Sequence, residues 1–193
     1  MAPYLFVYHH RVALRNFADE NQGDYASNIS SLLSYINSQY GEEYEDADTK
    51  FAEGIVTLEH FTKLWVPNEM IVTRKNDQVF VHVVKNWLTV WDNRYFERGQ
   101  QKHIDLQCWS WEYDGFSLKR NNTTQRVDLA DHQEISINKL RTLPFRFAPE
   151  QLKTALMLRG RKSWGFRHKH LVNYTGHDFN RELYYVGYRV SWK

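Results

Sequence analysis

Two periods divide this chain. Between residues 28 and 66 apolar positions recur at helical spacing, and from Met70 onward they alternate. Ile29, Leu32, Leu33, Ile36 and Tyr40 share a helical face, which predicts a helix over Asn28–Tyr40 that stops at Gly41. Tyr44, Ala47 and Phe51 predict a second, acidic helix over Glu42–Ala52, ended by Gly54. Thr57 then caps a short helix over Leu58–Leu64, which stops before Pro67. Ahead of these, Tyr4–Tyr8 is an apolar run that predicts a short strand, followed by a polar loop to Gly23.

The alternating part begins with Met70–Arg74 and Gln78–Trp87, two strands joined through Lys75-Asn76-Asp77. In the second of them Val79, Val81 and Val83 share one face, and Phe80, His82 and Val84 the other, so both faces are expected to be covered. A polar loop follows over Asp92–Lys102. His103–Asp114 is a long strand whose apolar residues change sides at Cys108, from Ile104 and Leu106 to Trp109, Trp111 and Tyr113. A bulge would produce that switch. Asp114-Gly115 turns the chain into Phe116–Arg120, and Arg126–Leu129 is expected to pair with Glu134–Ile137. Tyr184, Val186, Tyr188, Val190 and Trp192 alternate through Glu182–Trp192, the clearest strand pattern of all.

Between these strands lies Glu134–Tyr174, the segment richest in information. Leu143-Pro144-Phe145-Arg146-Phe147 is extended, because the residue before proline is pushed out of the helical region. Pro149-Glu150 starts a helix: proline wastes no N–H at the first position, and glutamate suits the positive helix end. Leu152, Ala155 and Leu156 form its apolar stripe, widened by Met157 and Leu158. If the helix runs past Leu158, Arg159 points inward, Gly160 allows close packing and Trp164 continues the stripe. If it ends there, Gly160 is a stop and Arg159 a cation at the negative end. The continuation at Trp164 favours the first. The fold class is therefore α+β: a curled, mainly antiparallel sheet or partly open barrel, with N-terminal helices and one late amphipathic helix. Residues 1–193 form a single domain, a helical part over 1–66 packed on a β-rich part over 67–193.

Composition narrows the class. A chain of 193 residues with seven Trp, twelve Tyr and eleven Phe can build a dense core without staples. The formal charge of +2 calls for no polyanion, but its distribution is uneven. Nine carboxylates lie between Asp19 and Glu53 against Lys50, and seven Lys or Arg between Arg146 and His170 against Glu150. Two such regions either face one another, within or between molecules, or are solvated faces. Cys108 is the sole cysteine, so no internal disulfide forms and a reducing, intracellular compartment (cytoplasmic or nuclear) is expected. No stretch approaches the ~20 apolar residues of a membrane span.

Tests for chemistry mostly exclude. Gly160-Arg161-Lys162-Ser163 echoes the end of a phosphate-binding loop, but Arg161 stands where glycine is required and Leu156 at the first glycine position. His168, His170 and His177 could form a three-ligand metal site with an open position, though their spacing is not diagnostic. Cys108 sits mid-strand among aromatics, where cysteine behaves as a small hydrophobe. Neither a nucleophile elbow nor a convincing acid–base pair is present. Arg159, Arg161, Lys162, Arg167 and Lys169 interleave with Trp164 and Phe166, a composition that suits nucleic acid, but no recognised nucleic-acid motif accompanies it.

The order of these segments is similar to a known family. Pro3-Tyr4-Leu5-Phe6 with His9-His10-Arg11, Leu32-Leu33-Ser34-Tyr35-Ile36, Phe51 with Gly54, and Leu58 through Val72 all take part. So do Trp109-Ser110-Trp111 and Asp114-Gly115. The late block is the strongest: Ile135-Ser136-Ile137, Leu140, Leu143-Pro144, Phe147-Ala148, Leu156, Leu158 through Lys162, Trp164, and Tyr174-Thr175-Gly176. In this the chain resembles the uncharacterised domain found upstream of the AAA+ ATPase module in many fungal proteins. The resemblance covers nearly the whole chain. It implies a non-catalytic accessory piece that recruits substrates or partners to an ATPase engine, whose Walker sequences are absent here. It brings no catalytic residues and no cofactor.

The resulting expectation is a binding or adaptor domain for a protein partner, not an enzyme. Its contact surface is Arg159, Arg161, Lys162, Trp164, Arg167 and Lys169. The alternatives are a metal-assisted enzyme using His168, His170 and His177, and an oligomerisation module in which acidic helices of one copy meet the basic segment of another. Nucleic acid is a less favoured partner.

Overall fold

The helical half of the chain is built from two long helices. The computed structural model describes residues 4–76, 78–88, 102–113, 117–129 and 134–165. Helix α1 spans Leu5–Glu20 and helix α2 spans Asp24–Ala52. The expected strand over Tyr4–Tyr8 and the loop to Gly23 are thus helix. A run of adjacent apolar residues fits either period over five positions, and the wider spacing of Val7 and Leu14, both packed against α2, decides for helix. Gly41 likewise does not stop α2. A helical glycine costs about 1 kcal/mol relative to alanine, and the stripe of Ala26, Leu33, Ile36, Tyr40, Tyr44, Ala47 and Phe51 continues through it. α1 folds back over the second half of α2: Tyr8 packs edge-on against Tyr44, and its hydroxyl donates to Asp48 at 2.7 Å.

Gly54 ends α2 as its sequence requires. Its φ of +73° lies in the left-handed region that favours glycine, and its amide donates to the Phe51 carbonyl at 3.0 Å. A Cβ there would meet nothing within 4 Å. Gly54→Ala should therefore cost only backbone strain, about 1–2 kcal/mol. Urea denaturation reads this, and a neutral result would show that the chain relaxes at this joint.

Strand β1, Ile55–Thr57, follows, and Thr57 Oγ1 accepts from the His60 amide at 3.4 Å before a 3-10 turn at Phe61–Leu64. The expected helix over Leu58–Leu64 shrinks to that turn. Strands β2 (Met70–Lys75), β3 (Gln78–Val84), β4 (Lys102–Tyr113), β5 (Leu118–Leu129), β6 (Glu134–Ser136) and β7 (Thr142–Pro144) follow, and helix α3 closes the described residues at Glu150–Gly165. The main sheet has the order β5-β4-β3-β2-β7 with antiparallel neighbours, and β1 pairs with β6 in a second, two-stranded sheet. The sheet is curled: its edge strands β5 and β7 come within 8 Å between Cα atoms without pairing. The α+β class and the open barrel-like sheet agree with the sequence pattern.

Three pairings differ from expectation. The β4–β5 register runs unbroken from Lys102↔Leu129 to Tyr113↔Leu118, so no bulge sits at Cys108 in that ladder. The apolar residues change sides because β4 carries rings on its outer face as well: Trp111, two residues after Trp109, is 59% exposed. Leu106 and Cys108 enter the core, whereas Trp109 projects oppositely, with the Arg120 guanidinium 4.1 Å above its ring. β5 is one strand rather than two pieces, since the polar run Asn121–Gln125 pairs fully with β4. β6 pairs with β1 and not with Arg126–Leu129, because the chain leaving α2 brings Ile55 opposite Ser136.

Most buried apolar side chains form one core: Phe61, Leu64, Trp65, Ile71, Val72, Leu106, Leu143 and their neighbours. A smaller cluster of Val7, Tyr8, Ile36, Tyr44 and Ala47 lies within the helix pair, and Phe51 packs against both. The expected loop residues 92–101 and the strand pattern of Glu182–Trp192 lie outside the described residues.

Candidate interaction surface

Helix α3 runs unbroken to Gly165, so Gly160 is no stop. It is also no packing contact, because a Cβ there would meet nothing within 4 Å. Leu156 is buried, and Leu152 and Arg159 are half-buried beside it, four and three residues away. Burial pushes the Arg159 guanidinium below its ordinary pKa. The inward Arg159 follows from its position seven residues after Leu152, two helical turns along the same face.

The opposite face departs from expectation. Met157, Leu158 and Trp164 do not widen or continue the buried stripe: they are 52%, 60% and 57% exposed. Met157, Arg161 and Trp164 stand at i, i+4 and i+7 and share one solvent-facing row. Lys162, one turn after Leu158, is exposed at its flank. The helix thus sorts the predicted residues: Arg159 belongs to the packed side, and Arg161, Lys162 and Trp164 to an outer side that also carries two apolar groups. Arg167 and Lys169, and the candidate ligands His168, His170 and His177, lie outside the described residues.

A second cluster escaped the sequence reading. At the seam between α2 and the segment after β1, the fully buried Lys63 ion-pairs with Glu43, and its Nζ lies 3.2 Å from His60 Nδ1. His60, also buried, places Nε2 2.6 Å from Asp46, which bonds Lys50 at 2.9 Å. These hydrogen bonds from His60 and then Lys50 hold the Asp46 carboxyl below its usual range. On α1, Arg11 pairs with Asp48. His9 stacks on Trp87, ring centroids 5.4 Å apart, with its Nε2 buried and without a hydrogen-bond partner among the described residues. Burial foremost, then Arg146, His10 and Arg11 beside it, lower its pKa to about 4. Arg146 itself pairs with Glu69 and donates to the Leu64 carbonyl at 2.8 Å. The signal existed in the sequence: Glu43, Asp46 and Lys50 sit at i, i+3 and i+7, and His60 and Lys63 at i and i+3. Of the acidic run, Glu43 is paired with Lys63, Asp46 with His60 and Lys50, and Asp48 with Arg11, partners that lie outside α3.

This cluster is a poor catalytic candidate, since His60 and Lys63 expose 1% and 0% of their surface. Cys108 is buried too, and desolvation pushes its thiol to about 12, far from a thiolate nucleophile. Among the described residues no group of three or more His, Cys, Asp or Glu is placed to hold a metal ion. Nor, among them, is any helix long and apolar enough to cross a membrane.

Comparison with curated proteins finds no match, and neither does comparison with solved structures. A family model does match, over residues 46–149, a span from the last part of α2 to the residue before α3 that contains both sheets. With more than half of its length so covered, the chain belongs to the family described as Domain of unknown function (DUF7025).

Proposed function

We propose that the chain is a non-catalytic accessory or adaptor domain that captures a protein partner through the outer face of α3. The observation that carries this is the exposed row of Met157, Arg161 and Trp164, flanked by Leu158 and Lys162. Exposed aromatics flanked by Arg are the composition of an anchoring patch, with the ring supplying contact area and the guanidinium direction. The partner segment is acidic with apolar anchors, the complement of this row. In this reading the domain is an accessory piece of the kind found N-terminal to AAA+ ATPase modules in fungal proteins, and it delivers a substrate protein to that engine.

The test is capture from a native lysate by the full chain and by its Arg161→Glu, Lys162→Glu, Trp164→Ala variant, with circular dichroism confirming that both are folded. A captured protein is then purified and titrated. The variant is expected to bind at least about tenfold more weakly, a loss of about 1.4 kcal/mol, and the parent's affinity is expected to fall with added salt. Equal binding by a folded variant would remove the surface from consideration.

A further inference from the structure

Every residue of a strand carries backbone hydrogen-bonding groups, and in an antiparallel pair alternate residues aim theirs away from the neighbour. β5 pairs with β4 along all twelve of its residues, so every second residue points its N–H and C=O outward. It ends the sheet, and among the described residues no strand pairs with that outer side. β7 approaches it, but with three residues it can screen only a small part. Proteins blunt such an edge with proline, a bulge, a short strand or charges set on the edge. β5 has no proline, and its register to β4 is unbroken. Its arginines are drawn back over β4, Arg126 to Asp105 at 3.7 Å and Arg120 onto the Trp109 ring. What remains is a long edge able to take another strand.

The two faces of β5 say what kind of strand fits. Val127, Gln125 and Thr123 stand opposite Ile104, Leu106 and Cys108, on the side where β4 enters the core. Val127 is buried, but Gln125 and Thr123 are only half-buried, so the cover thins out there. Arg120, Asn122, Thr124 and Arg126, on the other side, are exposed. The complement is a strand about as long as β5, apolar at every second position and free to meet water at the rest. Glu182–Trp192 has that pattern: eleven residues against twelve, no proline, and aromatic or β-branched residues along one whole face. Gly187, Arg189 and Ser191 fall on the other face. We propose that Glu182–Trp192 docks along the outer edge of β5 as a sixth strand of the main sheet, with Tyr184, Val186, Tyr188, Val190 and Trp192 turned to the core.

A slip of one residue would set those five side chains beside Arg120, Asn122 and Arg126, so burial fixes the face. Sixteen residues separate Gly165, the end of α3, from Glu182. At ~3.3 Å each they reach about 50 Å, enough to cross a domain of this size. A strand tethered in the same chain also outcompetes a free one, because the linker raises its effective concentration. Once filled, the edge is closed to strands of other chains.

Amide exchange of the full chain, followed residue by residue by NMR, tests this. On an edge strand only every second amide is protected, whereas a strand paired on both sides protects consecutive ones. Consecutive protection is expected through Asn121–Gln125, the outward amides exchanging at least about tenfold more slowly than exposed ones. Cross-strand proton contacts should run from them to Glu182–Trp192. In the Val186→Pro, Gly187→Pro variant one lost N–H faces β5 in either register, because neighbouring residues point oppositely. That variant should free the outward amides by about the same factor while those facing β4 hold. Alternate protection in the parent, outward amides unmoved in a folded variant, or contacts from the edge to any other segment would each overturn the docking. So would contacts found only between differently labelled copies, which would make the occupant a second chain. Should the variant not fold, the parent's protection pattern and proton contacts decide alone.

Discussion

Trp65→Ala is expected to lower the free energy of unfolding by about 3–5 kcal/mol, among the largest effects of any single substitution in this chain. Trp65 has no exposed surface and sits at the end of the 3-10 turn, its ring 5.7 Å from Phe61 and tilted by 62°. The segment it anchors connects β1 to β2, so the same side chain fixes the second sheet against the first. Truncation removes a ring's worth of contact from a close-packed interior that relaxes only partly. Trp65→Phe separates packing from polarity. The indole Nε1 is buried without a hydrogen-bond partner, and an unmet buried donor costs about 1–3 kcal/mol. Phenylalanine loses volume but also removes that donor, so it should cost less than half of what alanine costs. Urea denaturation followed by circular dichroism measures both, with slopes unchanged if the unfolded state is unaffected. Equal losses for the two would mean that the indole nitrogen has found a partner and the argument from its isolation fails.

The parts of this fold that were legible in the sequence are those whose cause is local. Pro149-Glu150 starts α3, Gly54 ends α2, and Asn76, at a φ of +49°, turns the chain after β2, each through backbone chemistry carried by the residues themselves. What escaped had a cause elsewhere in the chain. Five apolar residues at Tyr4–Tyr8 fit two periods, and only α2, placed against them by a three-residue connection, makes one of them useful. Gly41 is a stop signal in isolation, yet Ile36 and Tyr44 are buried on either side of it and hold the helix through it. Asn121–Gln125 has the composition of a loop. Its hydrogen bonds go to β4, whose long apolar strand sets the length of its polar neighbour.

The candidate surface shows the same division. Arg159 was placed inward by counting from Leu152, and burial agrees. Trp164 follows Leu156 and Gly160 at steps of four, which suggests the same stripe, but each such step drifts about 40° on a helix of 3.6 residues per turn. Two steps carry Trp164 to the outer row with Met157 and Arg161. The His60–Lys63 cluster shows in the sequence only as two separate spacings; that they meet takes tertiary contact, since Asp46 and His60 are fourteen residues apart and Glu43 and Lys63 twenty.

That cluster carries the second large effect, and its size depends on which partner is removed. Glu43→Ala is expected to cost about 3 kcal/mol, because it leaves the Lys63 ammonium fully buried with no anion bonded to it. Lys63→Met is expected to cost about 1 kcal/mol or less: the side chain keeps much of its apolar length, and the Glu43 side chain, 29% exposed, can take up water in place of the ammonium. The double variant should resemble Lys63→Met alone, since no buried cation remains to be left unpaired, and the cycle then gives a coupling of about 3 kcal/mol, the whole cost of Glu43→Ala. A surface ion pair would behave differently, with small and similar costs on either side that shrink in salt. Chemical denaturation of the three variants in low and high salt distinguishes the cases. If Lys63→Met proves as costly as Glu43→Ala, the ammonium itself holds α2 to the sheet, and His60, which accepts from that same ammonium, is the next residue whose loss should be felt.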